Sequence, residues 1–170
     1  MQAAIPEDIF KRLDELQIEY TTYNHPPVFT VDDSAFIKEM IDGGHTKNLF
    51  LRSKRKVTYL VVALEDAKID LKKLAKKLEA GRFSFGSPER LLDMLGVTPG
   101  SVCPFSLIND TDQSVKVVLD KDMMDHEWVN YHPLINTMST KLRSSDLLKF
   151  IDSCGHQPEI LDLSDISPDE

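Results

Sequence analysis

Lys47 opens a predicted apolar strand, Asn48-Leu49-Phe50-Leu51, where a lysine is costly to bury unless its head reaches water or meets an anion. A plain strand-edge charge is the alternative for such a residue taken alone. It does not stand alone. It belongs to Gly43-Gly44-His45-Thr46-Lys47-Asn48, one of four Gly/Pro-rich polar segments at predicted strand or loop edges. The others are His25-Pro26-Pro27-Val28-Phe29-Thr30, the stretch Gly100-Ser101-Val102-Cys103-Pro104-Phe105-Ser106 running on to Asp110, and His132-Pro133-Leu134-Ile135-Asn136-Thr137-Met138. No phosphate loop, dinucleotide fingerprint, nucleophile elbow or HExxH occurs. The five histidines lack ligand spacing, so no metal is expected. Cys103 and Cys154 show no CxxC spacing and read as free thiols of a reducing compartment, although a Cys-His pair brought together by folding stays open.

The elements that must position these segments follow from periodicity. Ile9, Leu13 and Leu16 predict a helix over 6–17, and Ala35, Ile37 and Met40 one over 32–41. Strands 46–51 and 57–64 flank the polar turn Arg52-Ser53-Lys54-Arg55-Lys56 and predict a hairpin. The second of these is nearly all apolar, as a doubly buried central strand would be. A helix over 69–79 turns Leu71, Leu74 and Leu78 inward and places Lys72, Lys73, Lys76 and Lys77 on its outer face. Ser87-Pro88-Glu89 predicts the start of another helix, stopped at Gly96, with a turn at Thr98-Pro99-Gly100. Further strands are expected over 102–108, 115–119, 128–131, 137–140 and 158–163, with a final helix capped at Ser144 or Ser145. Strands and helices are interspersed without regular βαβ alternation, which predicts an α+β fold with a mixed sheet. Residues 1–164 are expected to form one domain, and acidic residues 165–170 a frayed tail.

Charge is unevenly spread. The chain carries a net charge of −8, yet residues 47–82 hold eleven Lys or Arg against four acids. Such a basic island could capture a polyanion or be a solvated helix face. No apolar run approaches a membrane span and the N-terminus lacks a signal-like block, so a cytoplasmic protein is expected.

His-Pro-Pro-Val-Phe, Gly-Gly-His-Thr-Lys-Asn-Leu-Phe-Leu, Pro-Gly-Ser-Val, Leu-Ile-Asn-Asp and His-Pro-Leu-x-Asn occur here in one order. That order and spacing resemble the YbaK/EbsC-type superfamily of aminoacyl-tRNA deacylases, related to the editing domain of bacterial prolyl-tRNA synthetases. The match is closest to its free-standing branch that acts on Ala-tRNA(Pro). The resemblance covers nearly the whole chain. It implies a mixed β-sheet curled toward a barrel with helices around it, and an activity that depends most on Lys47. It implies hydrolysis of an aminoacyl ester without cofactor, the acceptor end of tRNA(Pro) as partner, prolyl-tRNA synthetase as a second one, and neither DNA nor membrane. Within that resemblance, Lys47 is expected to hold the terminal phosphate or ribose, with Asn48 and Thr30 on ribose or ester oxygens. Gly100 and Ser101 are expected to supply backbone donors to the oxyanion. His132 and Asn136 would shape the pocket or orient water, and Pro27, Phe29, His45 and Phe105 would wall it. Lys72, Lys73, Lys76 and Lys77 are expected to meet the acceptor stem. Ser106 and Met138 depart from the branch pattern, where glycine and alanine are usual, and leave the aminoacyl specificity open between Ala-, Cys- and Ser-tRNA. A module that binds aminoacyl-tRNA or a synthetase without hydrolysis, and a small-molecule-binding domain, are the readings from other classes.

Overall fold

Thr58–Leu64 (β3) is the central strand, because its side chains are apolar on both faces and both faces are covered. Leu60 and Val62 enter a core with Ile9, Leu95, Phe105 and Phe150, while Tyr59 and Val61 enter a second core with Leu51, Leu74 and Ile166. The computed structural model describes residues 2–28 and 31–169. Gly44–Ser53 (β2) pairs antiparallel with β3 from Thr46 opposite Leu64 to Arg52 opposite Thr58, the expected hairpin. Val115–Asp120 (β5) pairs parallel on the other side of β3. Tyr20–Asn24 (β1), Phe83–Phe85 (β4), Trp128–Tyr131 (β6), Met138–Arg143 (β7) and Glu159–Leu161 (β8) complete an eight-stranded mixed sheet. Its order is β1-β7-β6-β2-β3-β5-β8, with β4 added to β2, and it is not closed. The fold is α+β, as expected.

Among the described residues six helices surround it: Pro6–Glu15 (α1), Val31–Met40 (α2), Leu71–Lys77 (α3), Pro88–Leu95 (α4), Lys121–Met124 (α5) and Ser144–Ser153 (α6). Their ends follow local chemistry. The Ser87 hydroxyl accepts from the Arg90 amide at 3.1 Å, Pro88 occupies the first turn of α4, and Gly96 ends it in the left-handed region at φ 68°. A Cβ on Gly96 would stand 2.7 Å from the Asn109 amide nitrogen.

Two expectations are corrected. The strand expected over 102–108 is a 3-10 helix, Pro104–Asn109. Pro104 cannot donate to a ladder but suits a helix start, and the Ser106 hydroxyl back-bonds to the Cys103 carbonyl. The acidic C-terminus is not a frayed tail over its described length. Ile166 is buried in the second core, its carbonyl accepts from Asp70 N–H at 2.9 Å, and Ser164–Ile166 is a 3-10 turn.

Candidate active site

β2 changes partners along its length, and the change makes a cleft. It pairs with β6 only at Gly44 and His45, and with β4 only from Leu51 to Ser53. Between them no described strand covers the edge opposite β3. The odd-numbered residues bond to β3, as the flanking bonds Glu65 N–H to His45 carbonyl and Ser53 N–H to Val57 carbonyl show, both 2.8 Å. Even-numbered residues therefore turn their backbone groups the other way, where Phe50 accepts from Gly86. The Asn48 N–H is thereby directed toward the uncovered edge.

A cleft of about 370 Å³ opens there. Lys47, Asn48, Thr46 and His45 of β2 line it, with Val28, Ser34 and Ile37 before and within α2, Glu65 after β3, and Asn130, Tyr131, His132 and Ser139 from β6 and β7. Lys47 is half-buried and its ammonium donates to the Ala67 carbonyl. It forms no ion pair with a carboxylate among the described residues. Ser34 donates to Glu65, which also meets Lys38 at 3.4 Å.

Two imidazoles are fixed by carbonyls. His25 Nδ1 lies 2.8 Å from the Pro26 carbonyl and must donate to it, so in the neutral ring Nε2 accepts from the Ser139 hydroxyl, also at 2.8 Å. His132 Nδ1 likewise donates to the Met138 carbonyl at 2.8 Å, which leaves its Nε2 lone pair free of any bond among the described residues. Burial, aided by the neighbouring His25 and His45, holds the His132 pKa below the usual 6.5, although the Met138 carbonyl opposes it. His132 is thus a neutral acceptor at neutral pH. The Asn130 amide nitrogen donates to the carbonyls of Asp42 and Gly44 at 3.0 and 3.3 Å, which turns its oxygen away without a partner. The Asn48 side-chain oxygen is buried and unpartnered as well. Buried acceptors left unmet are expensive, and two in one cleft mark a place where a donor belongs.

The structure brings Lys47, Asn48, His45 and His132 together as expected. Other expected residues stand elsewhere. Phe29 and Thr30 lie outside the described residues. Pro27 is exposed beside the wall residue Val28. Phe105 is fully buried one ring behind the cleft, 5.8 Å from Tyr131, so it supports the wall and does not form it. Ser106 is fully buried and spent on its own turn. Asn136 and Met138 do not line the cleft, and Met138 acts on it through its carbonyl. Gly100 and Ser101 lie outside the lining; the Ser101 N–H is taken by the Thr98 carbonyl at 3.0 Å, so it is no free oxyanion donor. The Gly100 turn needs φ +94°, which explains the glycine on conformational grounds. On α3, Lys73 binds the Ser167 carbonyl and Asp169, and Lys77 binds the Asp162 carbonyl and Asp165, all within 2.9 Å. Only Lys72 and Lys76 present uncommitted ammonium groups there, because the C-terminal segment folds over the other two.

Asn130, Ser139 and Glu65 were missed. Nothing in Trp-Val-Asn-Tyr signals a site, since only the β2–β6 junction turns Asn130 toward Lys47. The Cys103 thiol is buried and pushed up to about 11 by burial, which leaves it a poor nucleophile. Among the described residues no His, Cys, Asp or Glu cluster could hold a metal, and no helix is long and apolar enough to cross a membrane.

Comparison with known proteins places the chain in a family. Residues 25–150 match the aminoacyl-tRNA editing domain family. The chain is 40% identical over 157 residues to the prolyl-tRNA editing protein ProX of Acetoanaerobium sticklandii, covering 91% of this chain and 95% of that one. It is 35% identical over 165 residues to prolyl-tRNA synthetase associated domain-containing protein 1 of Danio rerio, covering 94% and 90%. A crystal structure described as a candidate trans-editing enzyme for prolyl-tRNA synthetase shares the fold at a TM-score of 0.70, with 18% identity over 93% of this chain and 95% of that one. The chain belongs to the aminoacyl-tRNA editing domain family and is an aminoacyl-tRNA deacylase.

Proposed function

We propose that the enzyme removes a wrongly attached amino acid, alanine first among them, from tRNA(Pro) by water attack on the aminoacyl ester. The observation that carries this reading is the cleft itself, where a lysine, a neutral imidazole with a free lone pair and unmet amide oxygens meet at the uncovered edge of β2. Aminoacyl esters are already activated, so positioning and oxyanion stabilisation suffice and no nucleophilic side chain is needed.

In this mechanism Lys47 exchanges the Ala67 carbonyl for the terminal phosphate or ribose of the tRNA. His132 Nε2 accepts from the attacking water and orients it. The Asn48 N–H, directed at the uncovered edge, meets the developing oxyanion in place of the Gly100-Ser101 turn. The water oxygen bonds to the carbonyl carbon, the bond to the ribose oxygen breaks, and the proton ends on that ribose oxygen. Val28, Ile37 and Tyr131 are the apolar walls that would pass a methyl side chain and resist a pyrrolidine ring. A second site of this kind is useful because a synthetase pocket rejects a smaller side chain by only about 1–3 kcal/mol. One relative is named for prolyl-tRNA editing and another for prolyl-tRNA synthetase association, and these names support the choice of tRNA. A panel of Ala-, Cys-, Ser- and Pro-tRNA(Pro) tests it. Release of alanine with proline spared is expected, and protein that leaves every mischarged tRNA intact would sink the reading.

A further inference from the structure

The cations of the basic island are not equivalent. On α3 two of four lysines are held by the C-terminal segment. At the other end of β2, Arg52, Lys54, Arg55, Lys56 and Arg82 make no ion pair and no side-chain hydrogen bond to any described residue. Three of them, Arg52, Lys54 and Arg82, line a hollow of about 500 Å³ with Ser53, Phe83 and Ser84, and no acid lines it. The backbone builds this hollow: Ser84 pairs with Arg52, and Lys54 N–H donates to the Arg82 carbonyl at 2.8 Å, which sets Arg82 across from Lys54 and diagonal to Arg52. Arg52 Nε is buried and has no hydrogen-bond partner. A buried guanidinium N–H without an acceptor is costly, and a planar fork of such donors fits phosphate oxygens.

We infer that this hollow binds the phosphodiester backbone of the RNA whose 3′ end occupies the cleft. The inference rests on the tRNA reading above. Strand geometry favours it over a free anion. Asn48 and Arg52 are four residues apart on one face of β2, so the ester and the hollow are separated by about 13 Å. That span suits the few unpaired nucleotides between an aminoacyl end and its stem. Lys54, Arg55 and Lys56 in the turn continue the positive surface away from the cleft, where a duplex would lie.

The test separates this hollow from the chemistry. Arg52→Gln, Lys54→Gln and Arg82→Gln together should raise KM for mischarged tRNA(Pro) at least about tenfold, with kcat unchanged. They should also lower the slope of log affinity against log salt for uncharged tRNA(Pro) by about 2, since each lost phosphate contact removes roughly 0.7–0.9. The pair Lys54→Glu and Arg82→Gln, which leaves Arg52 and its packing in place, should show the same direction. Lys72→Gln with Lys76→Gln should change little. A mischarged 3′ fragment without the duplex should be cleaved equally well by wild type and triple variant. Unchanged KM and salt slope in both folded variants would overturn the inference while leaving deacylation standing. Wild-type protein that binds uncharged tRNA through these residues but hydrolyses none would keep the hollow and remove the proposed function. Equal binding of inorganic phosphate and tRNA at this hollow would show a free-anion site and overturn the inference.

Discussion

Two hollows of this protein differ in a way that volume misses. The groove between α1 and α4 encloses about 630 Å³, and the cleft at β2 about 370 Å³. In the larger one no lining side-chain atom among the described residues is buried without a partner. Asn109 accepts from the Ala4 N–H at 2.9 Å and donates to the Leu95 carbonyl at 2.8 Å, and Asp8 accepts from the Ile5 N–H at 2.8 Å. In the smaller one Asn48 and Asn130 each hold a buried oxygen without a donor. A fold tolerates such atoms where something else completes them, and unmet hydrogen-bonding capacity marks the site better than size does.

Lys47→Ala should cut kcat/KM about 100-fold or more with the circular dichroism spectrum unchanged, on the scale of losing one preorganised charge-stabilising donor. Activity within a few fold of wild type would detach the cleft from the chemistry. Asn48→Leu should lower kcat/KM about tenfold while raising Tm by a few degrees, because it removes an acceptor that folding leaves unmet. A fall in both would place Asn48 among the supports of the fold and erase the contrast. Asn109→Leu should do the reverse, destabilising by about 1–3 kcal/mol through the orphaned Ala4 N–H and Leu95 carbonyl, with turnover intact.

The smallest effect concerns pH. The folded His132 pKa lies below 6.5, so its contribution to stability is complete above 6.5 and is lost as pH falls through the folded value. The acid limb of kcat should therefore sit below the ordinary imidazole range, and His132→Gln should abolish that limb while lowering the rate. An acid limb that persists in the variant would assign it to another group. Asp110 sets a further marker. Burial opposes its ionisation, but bonds from His156, Ser114 and Val115 outweigh it and hold the carboxyl below 3.8. Its contribution is present above that value and is lost on stronger acidification.

The strands and helices that position the cleft were legible because each obeys one period: β3 by its apolar run, α4 by Ser87-Pro88 and Gly96, the hairpin by its charged turn. Lys47 was legible because it breaks a pattern. What escaped depends on how elements meet. Residues 102–108 read as a strand from composition, and Pro104 decided otherwise. The segment Phe83–Phe85 is three residues long, too short for alternation to show. The lysines of α3 share an outer face as predicted, yet only the return of the C-terminus reveals that Lys73 and Lys77 are occupied. Asn130 becomes a site residue solely because β6 runs parallel beside Gly44 and His45.

β2 stays in unbroken register with β3 from Thr46 to Arg52. On the proposed reading it would work as a caliper, with the jaw proposed for ester cleavage at Lys47 and Asn48 and the cationic jaw at Arg52 held at a fixed separation. A transfer RNA whose overhang is shortened or lengthened by one nucleotide would then present its ester out of step with the jaws, and the number of unpaired bases would become a quantity this strand measures.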